Sequence, residues 1–434
     1  MLIVKGLGIL LLLIWTTATA ADDVPVAPGF SLLLGTVTVG GAQWQRLDLR
    51  PQVRLGAFEA VLDLELFLDE TGRFRSLGWD FSSRRQVLES VFRKIGYIQY
   101  GDMGHRRHRV YLRVGDLEEV TLAQGMIMWR YGNALYAPGA KKTGLDLQIR
   151  GLGGGRVAVR GMINNFLDLD GGGPVVGGRV VVQPPGPLAV GATAVMDMDQ
   201  LSGMSDSVRT ALGKDRYGAF GVDVSYPLLK APLVTLYGGV SRTLSGTRSG
   251  TGLGVPGVEL TVGRATLRLE YRWVAGGFTP GHFDALYELN RAVVDSAGRV
   301  VTREAAMADL SMRGIFGDLA LSLGPLLKAR ASYQYLSNGD AADHRLEGRA
   351  SLKPVLLQQF RKVSLAEAYY ENHYRGAGKG LLGVTSETRF GYRLGLKPAS
   401  GLSVIWEVQF TYEPDGTGGL QRRRALNLQS LISL

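Results

Sequence analysis

Along most of the chain, apolar and polar residues alternate with a period of two. Between Gln45 and Leu55, Leu47, Leu49, Val53 and Leu55 fall on one side, and Arg46, Asp48, Arg50, Gln52 and Arg54 on the other. Phe58 to Leu68 repeats the pattern, with Ala60, Leu62, Leu64, Leu66 and Leu68 opposite Glu59, Asp63 and Glu65. Leu267, Leu269, Tyr271 and Trp273 oppose Thr266, Arg268, Glu270 and Arg272, and Ala329, Ala331, Tyr333 and Tyr335 oppose Lys328, Arg330, Ser332 and Gln334. Phe390, Tyr392, Leu394 and Leu396 oppose Glu387, Arg389, Arg393 and Lys397, and the stretch from Leu402 to Tyr412 alternates in the same way. This is the period of a β-strand, whose successive side chains face opposite sides. Each segment runs for about 9–12 residues, which matches the ~9–11 needed to cross a bilayer at a tilt. Strands of water-soluble proteins are usually nearer ~5–6.

The connections alternate as well. Long polar loops are expected at Asn165 to Pro174, Met198 to Asp215, Ser245 to Gly254, Ala275 to Val301, Ser337 to Asp343, Arg375 to Gly383 and Glu413 to Gly419. Between them come tight turns at Gly151 to Gly155, Pro184 to Pro187, Pro227 to Pro232, Gly263, Gly324-Pro325 and Pro398 to Gly401. Long connections on one side and short ones on the other are the rule for outer-membrane barrels. The pattern predicts an all-β fold, a transmembrane antiparallel up-and-down β-barrel with an even number of strands, about 16–22. Roughly eighteen of the spans fall from Lys94 onward, with up to four more upstream. At the C-terminus Leu426, Leu428, Ile432 and Leu434 alternate with Asn427, Gln429 and Ser433, as in the last strand of outer-membrane proteins, although the final residue is Leu and not an aromatic.

Two segments break the period. Ser82 to Ile95 places Val87, Leu88, Val91, Phe92 and Ile95 on one helical face behind a serine cap, and a second short helix is expected within His282 to Val294. Each reads either as a helix folded over the rim or as an in-turned plug. Residues 21–93 are therefore expected to hold N-terminal strands and a short amphipathic helix, as part of the barrel or of a plug, and residues 94–434 the barrel proper.

The N-terminus has a different composition. Lys5 is followed by an apolar run from Gly6 through Trp15, and then by small residues in which Ala18 and Ala20 occupy the −3 and −1 positions of a cleavage site. Residues 1–20 are expected to be a cleaved signal peptide, cut between Ala20 and Ala21; an uncleaved anchor is the alternative. There are no cysteines, which excludes disulfides and a lipid-modified N-terminal cysteine. Glycine is abundant, 60 of 434 residues, as befits a chain of many turns, and after residue 20 no run of ~18 apolar residues appears.

Candidate chemistry is sparse. His105 and His108 flank Arg106-Arg107 in a turn without partners at metal-ligand spacing, and no nucleophile elbow, zinc-protease or phosphate-loop motif occurs. Gly151 to Gly155 reads as a hairpin turn and not as a phosphate loop. Asp168, Asp170 and Glu118-Glu119 are acidic, but single loop acids are usually just solvated. No metal or cofactor is expected. The formal charge is +10, becoming +9 once Lys5 leaves with the signal (10 − 1). The basic residues are interleaved with apolar ones and not clustered with stacking aromatics, which argues against nucleic acid. In a barrel the alternation would turn Arg46, Arg50, Arg54, Arg268, Arg272, Lys328, Arg330, Arg349, Arg389 and Arg393 toward the lumen, where rings of positive charge favour anions. The plainer alternative is that they pair across strands with Asp48, Asp63, Glu65, Glu270, Glu347, Glu387 and Glu407.

Tyr111-Leu-Arg-Val-Gly-Asp-Leu117, Thr121-Leu-Ala-Gln-Gly-Met-Ile127 and Tyr131-Gly-Asn133 resemble hairpins recurrent in the porin-like outer-membrane barrels of Gram-negative and related bacteria. The resemblance implies a channel or transporter in the cell outer membrane, placed in the lipid bilayer by the assembly machinery, as a monomer or a trimer. The expected function is passage of small polar or anionic solutes through a basic lumen. Three alternatives stay open: a plugged structural or adhesion barrel, a transporter of hydrophobic (lipid) substrates and, less favoured, a barrel hydrolase. An enzyme is not expected, because His344 and His373 have no evident catalytic partner in the sequence.

Overall fold

The computed structural model describes residues 26–433, except 40–41, 70, 75–78, 104–107, 134–141, 296–297, 308–310, 324–325, 353–361, 376–382, 386, 400–401 and 415–418. The predicted cleavage site at Ala20 and Ala21, and His105, Arg106 and Arg107, lie outside the described residues. Twenty wall strands are present among those described, if one interrupted strand is counted once. The first three are β1 (Val26–Val39), β2 (Ala42–Leu55) and β3 (Phe58–Leu62 with Leu64–Leu68). Both halves of β3 pair with β2, Gln52 opposite Val61 and Leu49 opposite Leu64, so the register is continuous across Asp63.

Six shorter strands follow: β4 (Ile95–Tyr100), β5 (Val110–Gly115), β6 (Gly144–Gly151), β7 (Val157–Ile163), β8 (Val175–Val182) and β9 (Ala189–Asp197). The remaining wall is taller: β10 (Tyr217–Lys230), β11 (Leu233–Ser245), β12 (Gly250–Val262), β13 (Ala265–Gly276), β14 (Met312–Leu323) and β15 (Leu327–Ser337). It ends with β16 (Ala342–Leu352), β17 (Val363–Arg375), β18 (Arg389–Ala399), β19 (Leu402–Pro414) and β20 (Leu420–Ser433). Each strand pairs antiparallel with its neighbours in sequence, and β20 pairs back onto β1 from Ser31 opposite Ser433 to Gly35 opposite Gln429. Among the described residues the order of pairing thus returns to its start, the arrangement by which a barrel satisfies its backbone groups in lipid. The strand number falls within the even range that the alternation predicts.

Burial follows the period of two. In β10, Phe220, Val222, Val224, Tyr226 and Leu228 are exposed, while Ala219, Gly221 and Asp223 between them are buried. In β13, Leu269, Tyr271 and Trp273 are exposed and Arg268, Glu270 and Arg272 buried. Apolar side chains on the outside and charges on the inside invert the arrangement of a water-soluble protein, and suit a wall surrounded by hydrocarbon.

The helix expected over Ser82 to Ile95 spans Arg84–Arg93, with the Ser83 hydroxyl accepting from the Gln86 amide at 3.3 Å. Its apolar face turns only in part toward the protein. Phe92 and Ile95 are buried, but Val87 and Val91 are exposed, because the side turned to the protein is set by Ser90 and Phe92. Ser90 donates to the Asp80 carbonyl and Thr143 to the Phe92 carbonyl, both at 2.8 Å. Of the second expected helix, only Tyr287–Asn290 is helical; Ala292–Val294 instead pairs with Val300–Thr302 in a small hairpin. The surrounding loop is longer than expected, running from 277 to 311. The loop placed at Ser245 to Gly254 shrinks to 246–249, since β12 begins at Gly250.

If the exposed face meets lipid, Leu269→Arg, which puts a charge on that face of β13, should lower the unfolding free energy in phospholipid vesicles by about 2–4 kcal/mol. The measurement is urea titration followed by gel mobility. The same substitution at half-buried Thr266, on the other face of the strand, should cost much less.

Candidate functional site in the barrel interior

Wall side chains alone do not fill this interior. Two long connections fold into it. The first, between β5 and β6, runs from 116 to 143; it contains the small pair Val120–Leu122 and Met128–Tyr131, joined by a single turn at Ala123–Gly125. Thr121 to Ile127, likened from the sequence to hairpins of porin-like barrels, belongs to this insert. Contiguous apolar residues such as Met126-Ile-Met-Trp129, with no period of two, are the signal that separates it from the wall. The second connection is the 277–311 loop. The two join where the Trp129 amide donates to the Phe283 carbonyl at 2.9 Å and the Gly281 amide to the Met126 carbonyl at 2.9 Å. Leu122, Ile127, Met128, Tyr131, Phe283 and Tyr287 form a hydrophobic core inside the barrel, each essentially without solvent exposure.

Small wall residues make room for this insert. A Cβ on Gly252 would lie 2.4 Å from the Phe278 ring, and one on Gly254 2.8 Å from the Met126 methyl. Buried polar contacts hold the insert in place. Arg291 bonds Asp197 at the end of β9 and also donates to the Asp199 carbonyl at 2.9 Å, while Tyr287 donates to the same Asp197 carboxylate at 2.6 Å. Glu288 accepts from Lys142 Nζ at 2.6 Å, from Asn164 at 2.8 Å and from the Tyr131 hydroxyl. Burial would raise the Glu288 carboxyl, but Lys142 and Arg291 outweigh it and hold it down at about 2.

The insert leaves space against the wall of β15 to β18. On the long-loop side a cavity of ≈ 300 Å³ is lined by Thr279, His282, Arg303, Asp343, His373 and Glu387. Toward the short turns a second, of ≈ 290 Å³, is lined by Glu118, Glu119, Arg130, Arg330, Glu347, Arg349, Tyr369, Glu371 and Arg389. Between them lies a junction of only ≈ 30 Å³, room for about one or two waters. The junction shares Glu347 and Glu371 with the lower chamber, and Arg303, Arg345 and His373 with the upper one. Charges of opposite sign alternate through it. Arg303 grips Asp284 with two bonds of 2.9 and 2.6 Å, and Arg345 bridges Asp284 to Glu347, the latter at 3.1 Å. Arg130 then links Glu347 at 3.5 Å to Asp318 at 2.6 Å. Burial favours the neutral form of Asp284, but Arg303 and Arg345 overcome it and hold its carboxyl far below the usual range.

The ten basic residues expected in the lumen are distributed unevenly. Arg268, Arg272 and Arg389 are buried, Lys328 and Arg54 are exposed, and the others are half-buried. Arg330, Arg349 and Arg389 line the lower chamber. Nine of the ten form ion pairs: Arg46 and Arg50 with Asp48, Arg54 with Glu59, Arg268 with Glu259, Arg272 with Glu270, Arg330 with Glu119, Arg349 and Arg393 with Glu367, and Arg389 with Glu371. Asp48, Asp63 and Glu65 lie close enough together to hold an ion, but each is already paired with Arg46 or Arg50. Both late histidines have partners that the sequence did not reveal. His373 stands 2.7 Å from Asp343 and 2.7 Å from Glu387, and His344 is 2.9 Å from the Tyr333 hydroxyl. Glu347 was expected as a cross-strand partner of the basic residues, but Asp284, Arg303 and Arg345 at the junction and Arg130 beside it were missed, because nothing in their local sequence marks them.

A closed ring of twenty antiparallel strands, apolar outside and charged inside, defines a porin-like transmembrane β-barrel of the outer-membrane type. No protein-family model matches the chain, and no curated protein matches it. Among solved structures it is similar to OccK11 (OpdR) of Pseudomonas aeruginosa, at 12% identity over 94% of this chain and 95% of that one, TM-score 0.36. It is similar as well to the outer membrane protein OpdK of the same organism, at 11% over 94% and 98%, TM-score 0.34. OccK2 (OpdF) from that organism, solved with glucuronate, matches at 12% over 94% and 94%, TM-score 0.34. At these scores the likeness is too loose to transfer a solute or a residue's role to this chain.

Arg291→Ala strands the Asp197 carboxylate, a change that typically costs about 3–5 kcal/mol when a buried pair is broken. It should open the 277–311 loop to protease while the wall stays folded. The depressed carboxyls of Asp284 and Glu288 contribute stability that is complete above the ordinary carboxyl range of about 4 and is lost only as pH falls through their lower folded values. Protection of that loop should therefore stay constant from neutral pH down to about pH 4 and fall only below it.

Proposed function

We propose that the chain is an outer-membrane channel for small polar solutes, with residues 1–20 removed on export and the long loops facing outward. The observation that carries the reading is the row of two cavities joined through a charged junction along one wall, β15 to β18. Among the described residues the insert occupies much of the rest of the interior, which favours a narrow side path over an open central pore. The ten predicted lumen residues keep a part in this reading: Arg330, Arg349 and Arg389 line the path, while Arg46, Arg50, Arg54, Arg268, Arg272, Lys328 and Arg393 lie elsewhere on the polar side of the wall. Carboxylates answer most of these charges, which supports weak ion preference over a strongly anion-selective basic lumen. Hydrolysis is disfavoured at His373, because carboxylates face both of its ring nitrogens and leave neither free to activate a hydroxyl. The small junction favours one second reading, a barrel plugged at rest.

Refolded protein in planar bilayers should show small conductance steps, with a reversal potential close to zero in a salt gradient. Arg345→Ala, which removes the bridge between Asp284 and Glu347, should enlarge the steps several-fold. No conductance from wild type, from Arg345→Ala or from a chain lacking residues 277–311 would sink the channel in favour of a structural barrel.

A further inference from the structure

The lower chamber contains one carboxylate whose surroundings are incomplete. Glu371 stands directly opposite Glu347 across β16 and β17, both on the polar face of the wall. Like charges in opposed cross-strand positions repel unless a cation lies between or beside them. Glu347 is well supplied: Arg345 at 3.1 Å, the Trp129 indole at 3.3 Å and Arg130 at 3.5 Å. Glu371 is not. Among the described residues its nearest cation is Arg389, at 3.8 Å, beyond hydrogen-bond distance, and its Oε2 is buried without a hydrogen bond. A carboxylate held this way, at the edge of a solvent-filled space, is suited to an N–H⁺ donor that the protein itself does not provide.

The next polar row toward the short turns has the opposite sign. Arg330 stands opposite Arg349, with Tyr369 following on β17. Two residues of strand separate the rows, roughly 7 Å. Glu119 and Glu367 each engage one of these guanidiniums, but a guanidinium has five donors and can also take a solute carboxylate. The chamber thus presents an acidic row and a basic row on one wall, within a volume of ≈ 290 Å³, near the lower limit of small-molecule sites, ~300 Å³.

We propose that this chamber binds a small zwitterion, its ammonium group on Glu371 and its carboxylate on the Arg330–Arg349 row. The inference deepens the channel reading, and depends on it only in that the chamber must be reached from solution. Titration calorimetry of the refolded barrel at low salt tests it with β-alanine, N-acetyl-β-alanine, which lacks the ammonium, and ethanolamine, which lacks the carboxylate. β-Alanine should bind, and each analogue at least tenfold more weakly. Glu371→Gln should weaken β-alanine tenfold or more, while Glu371→Asp retains part of the binding. The site is overturned if N-acetyl-β-alanine or ethanolamine binds as well as β-alanine, if Glu371→Gln changes nothing, or if β-alanine does not bind at all. The analogue series on wild type needs no variant to fold. Conductance is read on the same preparation: a conducting barrel that ignores β-alanine overturns the site and leaves the channel, whereas a silent barrel that binds it overturns the channel and supports the site.

Discussion

A ring of twenty strands encloses more volume than its inward side chains can fill, and the rest of the structure depends on how that volume is used. Here the 116–143 and 277–311 connections enter the barrel and pack against each other around Met128 and Phe283. The wall accommodates them by omitting side chains where they press close, at Gly250, Gly252 and Gly254. Part of the high glycine content thus provides space at the wall and not turns.

Filling the interior with apolar residues creates an electrostatic difficulty, since each wall strand still presents polar groups inward. The structure answers with paired charges in place of solvated ones. Arg160 makes a two-pronged contact with Asp146, Arg179 with Asp223, and Arg291 closes on Asp197 beneath the second inward loop. Such pairs are costly to bury and more costly to break, so they fix where the insert sits as much as they stabilise it. Among the described residues, uncommitted volume collects between the insert and the wall of β15 to β18, where mixed charges line two chambers and the neck between them. Function, on this reading, occupies the space that packing leaves.

Much of the wall was legible in the sequence, for a physical reason. A strand between lipid and a polar interior must alternate, so β10 and β13 declare their inside and outside residue by residue. Long and short connections likewise sort by side. The helix at Arg84–Arg93 was legible as a helix from its cap and apolar spacing, but not in its orientation, since Val87 and Val91 obey the pattern and remain exposed. The first inward loop was legible only as hairpin-like, and not as an insert, because its short apolar stretches resemble strands until their lost alternation is given weight.

The sequence by itself determined the barrel, its even number of strands and the polarity of its two faces, because these follow from a repeat that each strand carries locally. Only the tertiary structure decided what fills the barrel and where a path remains. Those depend on partners far apart in the chain: Trp129 meets Glu347 across 218 residues, and Arg130 meets Asp318 across 188. No local pattern encodes such meetings. They exist because closing the sheet brings distant strands around a common interior, and there each charge takes whichever opposite charge the closed ring presents.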